Sequence, residues 1–107
     1  MSAFFLFDVR GVNDPEKLGE YQARVLDTVN AHGGRYRVLG GPATVVEGSW
    51  KIGTPVLIEF PSRAAAQTWY GSDAYRPLLS LRSEATDCAA LLIDGCAHPP
   101  EALAPNR

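Results

Sequence analysis

The order in which strand-like and helix-like runs alternate is the feature that most restricts the fold of this sequence. Short apolar runs bounded by turn residues indicate strands, and apolar residues repeated at three- and four-residue steps indicate helices. The strand-like runs are residues 3–9, 35–39, 55–60 and 85–94, and the helix-like runs are residues 15–32 and 63–70, with a second helical piece from Ser72. This order predicts an α+β, ferredoxin-like βαββαβ fold, in which helices cover one face of a four-stranded antiparallel sheet.

The first helix has clear start and stop signals. Asn13 or Asp14 is placed to cap its start, and Gly33-Gly34 ends it because glycine readily adopts the left-handed conformation of a helix C-cap. One face of this helix carries Leu18, Tyr21, Val25, Val29 and His32. Because these residues share a face, we expect them to pack on the sheet.

The segment after the second strand has a mixed pattern. Gly40-Gly41-Pro42 interrupts the strand, and paired glycines in a strand pattern favour a bulge or the close approach of another backbone or ligand. Residues 43–47 resume a β-like pattern, and residues 48–54 are expected to form a connecting hairpin that contains Trp50.

Length and composition restrict the class of protein. The chain has 107 residues, with 46% hydrophobic and 21% charged residues, which suits one globular domain and excludes intrinsic disorder. We expect this domain over residues 1–95 and a Pro-rich C-terminal tail over residues 96–107. The formal net charge of -2 and the lack of a basic patch argue against nucleic acid as a partner.

The cysteines and the N-terminal run bear on location. Two cysteines do not form a disulfide framework, and their spacing fits no zinc or redox motif. The apolar run at residues 3–7 has no basic leader, so we expect no signal peptide. No run is long enough to cross a bilayer, so we expect no membrane partner and a cytoplasmic location.

Alternation along the strands makes both faces of the predicted sheet apolar. In the first strand, for example, Phe5 and Phe7 oppose Phe4 and Leu6. Helices on one side leave the other face open, and an apolar face of that size marks an interface. We therefore expect a homodimer in which two sheets pack face to face. The alternative is that the tail or a loop covers this face.

An ordered set of short motifs resembles a known family. These motifs are GGRYRVLGG at 33–41, VVEGSW at 45–50, IEFPS at 58–62, WYGSDAYRPL at 69–78 and LR at 81–82. Together they resemble domain-of-unknown-function family thirteen-thirty, over nearly the whole chain from Phe4 to Gly95. The resemblance implies a member of the dimeric α/β-barrel superfamily, with a small pocket in each half.

That superfamily includes cofactor-independent monooxygenases, isomerases or lactonising enzymes, haem-handling enzymes and binding proteins without catalysis. The resemblance therefore implies a fold and does not assign a reaction. Members of the family often carry an arginine just before the second glycine pair. Leu39 occupies that position here, which removes any anion-binding role of that arginine.

Glu59, His32 and Arg37 are the candidate catalytic residues. Glu59 lies in an apolar strand, where burial would raise its pKa and suit it to proton transfer. The alternative is a structural ion pair between Glu59 and Arg37 on the neighbouring strand. His32, at the end of a helix, is either a general base or a helix cap.

Aromatic residues near loop and helix ends are candidates for binding a small-molecule ligand or substrate, together with one acid. The candidate ligand-binding residues are Tyr36, Trp50, Trp69, Tyr70, Tyr75 and Asp8. The alternative for Trp69 and Tyr70, and the more common role of such residues, is a place in the core, and Asp8 is placed to pair with Arg10. No metal site or cofactor is predicted, since the chain has two histidines, His32 and His98, without further ligands, and no phosphate-binding or dinucleotide motif.

Two functions remain open at this point. The first is a small-molecule enzyme without a tightly bound cofactor, such as an isomerase, cyclase or monooxygenase acting on an activated ring. The second is a dimeric protein that binds a small ligand without catalysis. A sheet that recognises RNA fits the element order but not the charge.

Overall fold

The computed structural model describes residues 1–97, so His98 and the predicted tail beyond Ala97 lie outside the described residues. The elements are β1 (Ala3–Val12), α1 (Pro15–Ala31), β2 (Arg35–Leu39), β3 (Thr54–Phe60), α2 (Arg63–Tyr70), α3 (Arg76–Ala85) and β4 (Thr86–Asp94). The predicted βαββαβ order is confirmed, with the second helical region divided into α2 and α3. None of the described helices combines the length and the apolar character needed to cross a membrane.

The four strands form an antiparallel sheet in the order β2-β3-β1-β4. Phe5 on β1 stands opposite Ile58 of β3 and Leu92 of β4. Because residues directly opposite each other point to the same side of a sheet, this register places the three side chains under the helices. The predicted division of the strand residues into two faces is confirmed.

Trp69 of α2 is the centre of the core between the helices and the sheet. Its ring lies 5.4 Å from Phe5, 5.2 Å from Phe60 and 4.1 Å from Tyr75, measured between ring centroids. Its indole nitrogen donates to Thr28 Oγ1 at 3.0 Å. This bond satisfies the polar atom of a fully buried side chain, and it ties α2 to α1.

Side-chain caps begin both α1 and α2, and the cap of α1 is one of the two residues that the sequence predicts. Asp14 accepts a hydrogen bond from the backbone N–H of Lys17 at 3.1 Å, and Ser62 accepts one from Ala65 at 3.0 Å. At the other end of α1, Gly33 has a φ of 76°, the left-handed conformation expected of it.

The predicted β-like run at residues 43–47 is wrong, and the connecting hairpin does not form strands. Within the described chain, no strand lies between Leu39 and Thr54, and residues 42–51 are exposed. A β pattern forms a strand only where a neighbouring strand offers backbone partners. The pairing of β2 with β3 ends at Leu39, so residues 43–47 have no strand beside them. The register shift in β2 lies between Tyr36 and Val38, before the glycine pair.

The side of the sheet away from the helices is largely apolar and only partly covered, and we call it the open sheet face. It carries Phe4, Leu6, Asp8, Leu57, Glu59, Leu91 and Ile93. Leu91 is 49% exposed and Ile93 is 46% exposed, which is high for leucine and isoleucine in a sheet.

Candidate functional site

A cavity of about 320 Å³ lies between α1 and the helix-covered face of the sheet. Its wall is mainly apolar, with contributions from Phe7, Val25, Leu26, Leu39, Val56 and Ile58. A volume near 300 Å³ is at the small end of the range for ligand sites. The cavity therefore suits a compact molecule of one or two rings.

Arg82 of α3 places a positive charge at the wall of this cavity. The residue is only 7% exposed, and its guanidinium lies 5.0 Å from the centre of the Phe7 ring. None of the ion pairs within residues 1–97 includes Arg82. An arginine stays charged even when it is buried. The apolar site therefore holds a cation that has no carboxylate partner among the described residues.

Two tyrosine hydroxyls connect Arg82 to α1. Arg82 Nε donates to the Tyr75 hydroxyl at 3.3 Å, and the Tyr75 and Tyr21 hydroxyls lie 3.0 Å apart. Burial, and then the nearby Tyr75 hydroxyl, raise the pKa of Tyr21 above its ordinary value. Burial also raises the pKa of Tyr36, at the cavity wall, to about 12. Both phenols are therefore donors near neutral pH and not bases.

The described lining of the cavity contains no Asp, Glu or His. A substrate that loses a proton here would have to give it to water, to a second reactant or to its own basic group. Within residues 1–97, no group of three or more His, Cys, Asp or Glu side chains is arranged to hold a metal ion.

The candidate catalytic pair Glu59 and Arg37 lies on the other side of the sheet. Arg37 Nε bonds to Glu59 Oε1 at 2.8 Å, which confirms the structural ion pair, and Ser2 Oγ donates to Glu59 Oε2 at 2.6 Å. These two hydrogen bonds, that of Ser2 first, lower the pKa of Glu59. The predicted rise in the Glu59 pKa is wrong, because the hydrogen bonds from Ser2 and Arg37 outweigh the opposing effect of partial burial. Both residues line a smaller cavity of about 180 Å³.

His32 and Asp8 both have structural contacts. His32 is the C-cap residue of α1, and its Nδ1 lies 2.8 Å from the Thr28 carbonyl oxygen, which favours the capping interpretation. Within the described residues, no hydrogen bond or ion pair joins His32 to Glu59 or Arg37. The predicted pair of Asp8 with Arg10 is confirmed at 2.9 Å, and Asp8 also accepts from Gly53 N.

The candidate aromatic residues are separated by the fold. Tyr36 lines the 320 Å³ cavity, and Tyr75 stands directly behind Arg82. Trp69 and Tyr70 belong to the core or pack against it. Trp50 is 64% exposed in the segment between β2 and β3.

Sequence reasoning missed Arg82 and Tyr21 as site residues. A signal for Arg82 is present, since it follows Tyr75 and Leu78 at three- and four-residue steps and so falls on the buried side of α3. A charged residue at a core position of a helix is rare without a pairing or functional reason.

The comparisons with known proteins agree with this fold. The family model described as domain of unknown function (DUF1330) matches residues 2–96. A protein of unknown function from Rhodopseudomonas palustris is 18% identical with a TM-score of 0.70, and the match covers 90% of this chain and 83% of that chain. No curated protein matches the sequence.

Two further solved structures are similar to this chain. SnoaB from Streptomyces nogalater, described as a cofactor-independent oxygenase, is 14% identical with a TM-score of 0.62, and the match covers 94% of this chain and 98% of that chain. A dimeric ferredoxin-like protein of unknown function from Jannaschia sp. CCS1 is 11% identical with a TM-score of 0.63, covering 89% and 100%. At these identities the similarity shows the fold alone.

Proposed function

The chain belongs to the DUF1330 family, and from that premise we propose that it is a homodimeric small-molecule enzyme without a tightly bound cofactor. Its substrate is a compact, largely apolar molecule with an oxygen that carries negative charge when bound or during reaction. The observation that carries this proposal is Arg82, a buried cation without a carboxylate partner among residues 1–97, at the wall of an apolar cavity.

The physical argument rests on the cost of a buried charge. Removing a cation from water is unfavourable unless an anion or several hydrogen bonds compensate. Tyr75 and the ring of Phe7 compensate Arg82 in part. A ligand with an anionic oxygen would complete the compensation, and the low dielectric of the cavity would strengthen that interaction.

The chemistry that this arrangement supports begins with transfer of a proton from the substrate to water, to a second reactant or to a basic group of the substrate itself. The product is an enolate or a phenolate, whose negative oxygen Arg82 stabilises. Isomerisation and cyclisation both proceed from such an anion, and oxygenation would add dioxygen as the second reactant. Similarity to a cofactor-independent oxygenase supports this class of reaction.

One observation favours the alternative, a dimeric protein that binds an anionic ligand without catalysis. The described cavity wall has no carboxylate or imidazole to accept a proton. Turnover of activated-ring substrates separates the two functions, because the binding protein would hold such molecules unchanged.

A coloured phenol tests the role of Arg82. We expect 4-nitrophenol to bind preferentially as its anion, so that the pKa of the bound probe falls by about one unit, a tenfold preference. The Arg82→Met variant should lose this shift, because methionine keeps the apolar stem and removes the charge. Absorbance titration of the probe with saturating protein measures the pKa.

Arg76→Met is the matched control, since Arg76 lies on the same helix, is exposed and forms no ion pair within residues 1–97. It should keep the full shift. Equal probe pKa values in the wild-type protein and Arg82→Met would refute the proposal.

A further inference from the structure

Three polar side chains form a continuous chain from α3 to α1. Arg82 bonds to Tyr75, the N-cap residue of α3, and Tyr75 bonds to Tyr21 of α1. Tyr75 is fully buried and does not line the cavity, whereas Arg82 and Tyr21 both do. The Tyr75 hydroxyl therefore sits behind two groups that a ligand can reach.

Hydrogen-bonding rules determine the direction of this chain. A guanidinium only donates, so the Tyr75 oxygen accepts from Arg82 Nε. The Tyr75 proton then needs an acceptor, and among the described residues its partner is the Tyr21 oxygen. The opposite direction would leave the Tyr75 proton buried without an acceptor, which is unfavourable. Tyr75 therefore donates to Tyr21, and the Tyr21 proton is free to point away from Tyr75.

We infer that Tyr75 is a positioning residue that makes the Tyr21 hydroxyl a second donor beside Arg82, so that the cavity selects an oxygen that only accepts hydrogen bonds. Ionised phenols, enolates and carboxylates carry such an oxygen, whereas a neutral hydroxyl brings a proton that competes with the two donors. The inference rests on the proposed function and specifies which oxygen the site takes.

The state of Tyr21 agrees with this role. Burial, followed by the effect of Tyr75, raises the pKa of Tyr21, so its hydroxyl keeps its proton near neutral pH. Tyr21 is thus a hydrogen-bond donor to the ligand and not the group that takes up a proton from it. The donor would act on the ligand oxygen at the same time as the Arg82 charge.

The same coloured probe tests this inference in the full-length protein. Tyr21→Phe removes the second donor and should raise the pKa of bound 4-nitrophenol by about half a unit relative to wild type. Tyr75→Phe removes the hydroxyl that donates to Tyr21 and so turns the Tyr21 proton toward the ligand, and it should also raise the pKa of the bound probe. Tyr70→Phe also removes a single hydroxyl from a tyrosine that is not part of the cavity wall, and should leave the probe pKa unchanged.

The outcomes separate this inference from the proposed function. If Arg82→Met abolishes the shift while Tyr21→Phe keeps all of it, the donor role of Tyr21 is refuted and the proposed function stands. If Tyr75→Phe weakens the binding of both probe forms equally, Tyr75 is only structural and the inference fails. Circular dichroism and thermal melting verify that each variant is folded, and Tyr21→Phe, at a partly exposed residue, supplies the decisive test if Tyr75→Phe is unstable.

Discussion

At the scale of single residues, Arg82 and Glu59 differ in what surrounds their charge. Glu59 is partly exposed and has two hydrogen-bonding partners, Arg37 and Ser2. Arg82 is buried and has a neutral hydroxyl and a ring beside it. A charge that is already paired interacts only weakly with a further ligand, whereas an incompletely compensated charge can bind an oppositely charged ligand strongly. The second situation is the one expected of a binding site.

The close packing at Gly34 gives a prediction at the same scale. A Cβ there would lie 2.6 Å from Val29 Cγ1 and 2.8 Å from Phe60 Cε1, both in the core. We expect Gly34→Ala to lower the free energy of unfolding by about 1–3 kcal/mol, as overpacking does. Urea denaturation measures this change.

Gly19→Ala is the matched control for that substitution. A Cβ at Gly19, within α1, meets nothing within 4 Å. Alanine is the better helix former there, so we expect this variant to be more stable by about 0.5–1 kcal/mol. A Gly34→Ala protein as stable as Gly19→Ala would contradict the packing argument.

At the scale of elements, strand pairing determines which sequence patterns become strands. β2 and β3 pair from Arg35 opposite Glu59 to Leu39 opposite Val56. Residues 43–47 have a similar pattern but no neighbouring strand, and they remain exposed. The ion pair between Arg37 and Glu59 adds a side-chain contact between β2 and β3.

The acid sensitivity of that contact is testable. The pKa of Glu59 is lowered from its ordinary value of 4.5, by Ser2 first and Arg37 second. A carboxyl group with a lowered folded-state pKa stabilises the fold above its unfolded-state pKa, and this contribution is lost as the pH falls through the folded-state value. We therefore expect Glu59→Gln to lose less stability than the wild type when the pH falls below 4.5.

Urea midpoints measured near neutral pH and below that value provide the comparison. Glu47→Gln is the control, because Glu47 is exposed and forms no ion pair within residues 1–97. The urea midpoint of Glu47→Gln should fall with pH by as much as that of the wild type. Parallel loss of stability in the wild type and Glu59→Gln would show that the contact contributes nothing measurable.

At the scale of the whole molecule, the open sheet face is the feature that a single chain leaves unexplained. The helices pack on the opposite face, and large apolar side chains stay exposed here. A second copy related by a two-fold axis would bury this surface against itself. A protein with this fold from Jannaschia sp. CCS1 is described as dimeric.

A charge on the open sheet face should prevent dimer formation. We expect Leu91→Glu to give a monomer, since two like charges would meet across the two-fold axis without solvent. Leu26→Glu is the control, because Leu26 is 50% exposed, close to the 49% of Leu91, but lies on α1 on the opposite side of the sheet. Sedimentation velocity measures the mass, and a Leu91→Glu dimer would rule out this interface.

Local patterns in the sequence determined the order of the elements, the two faces of each strand and the cap at Asp14, because each depends on residues that are neighbours in the chain. Tertiary structure alone decided the site. Tyr21 and Tyr75 stand 54 positions apart, and Tyr21 joins the Tyr75–Arg82 pair only because α1 and α3 pack against each other. Such a meeting depends on long-range packing, which no periodicity in the sequence encodes.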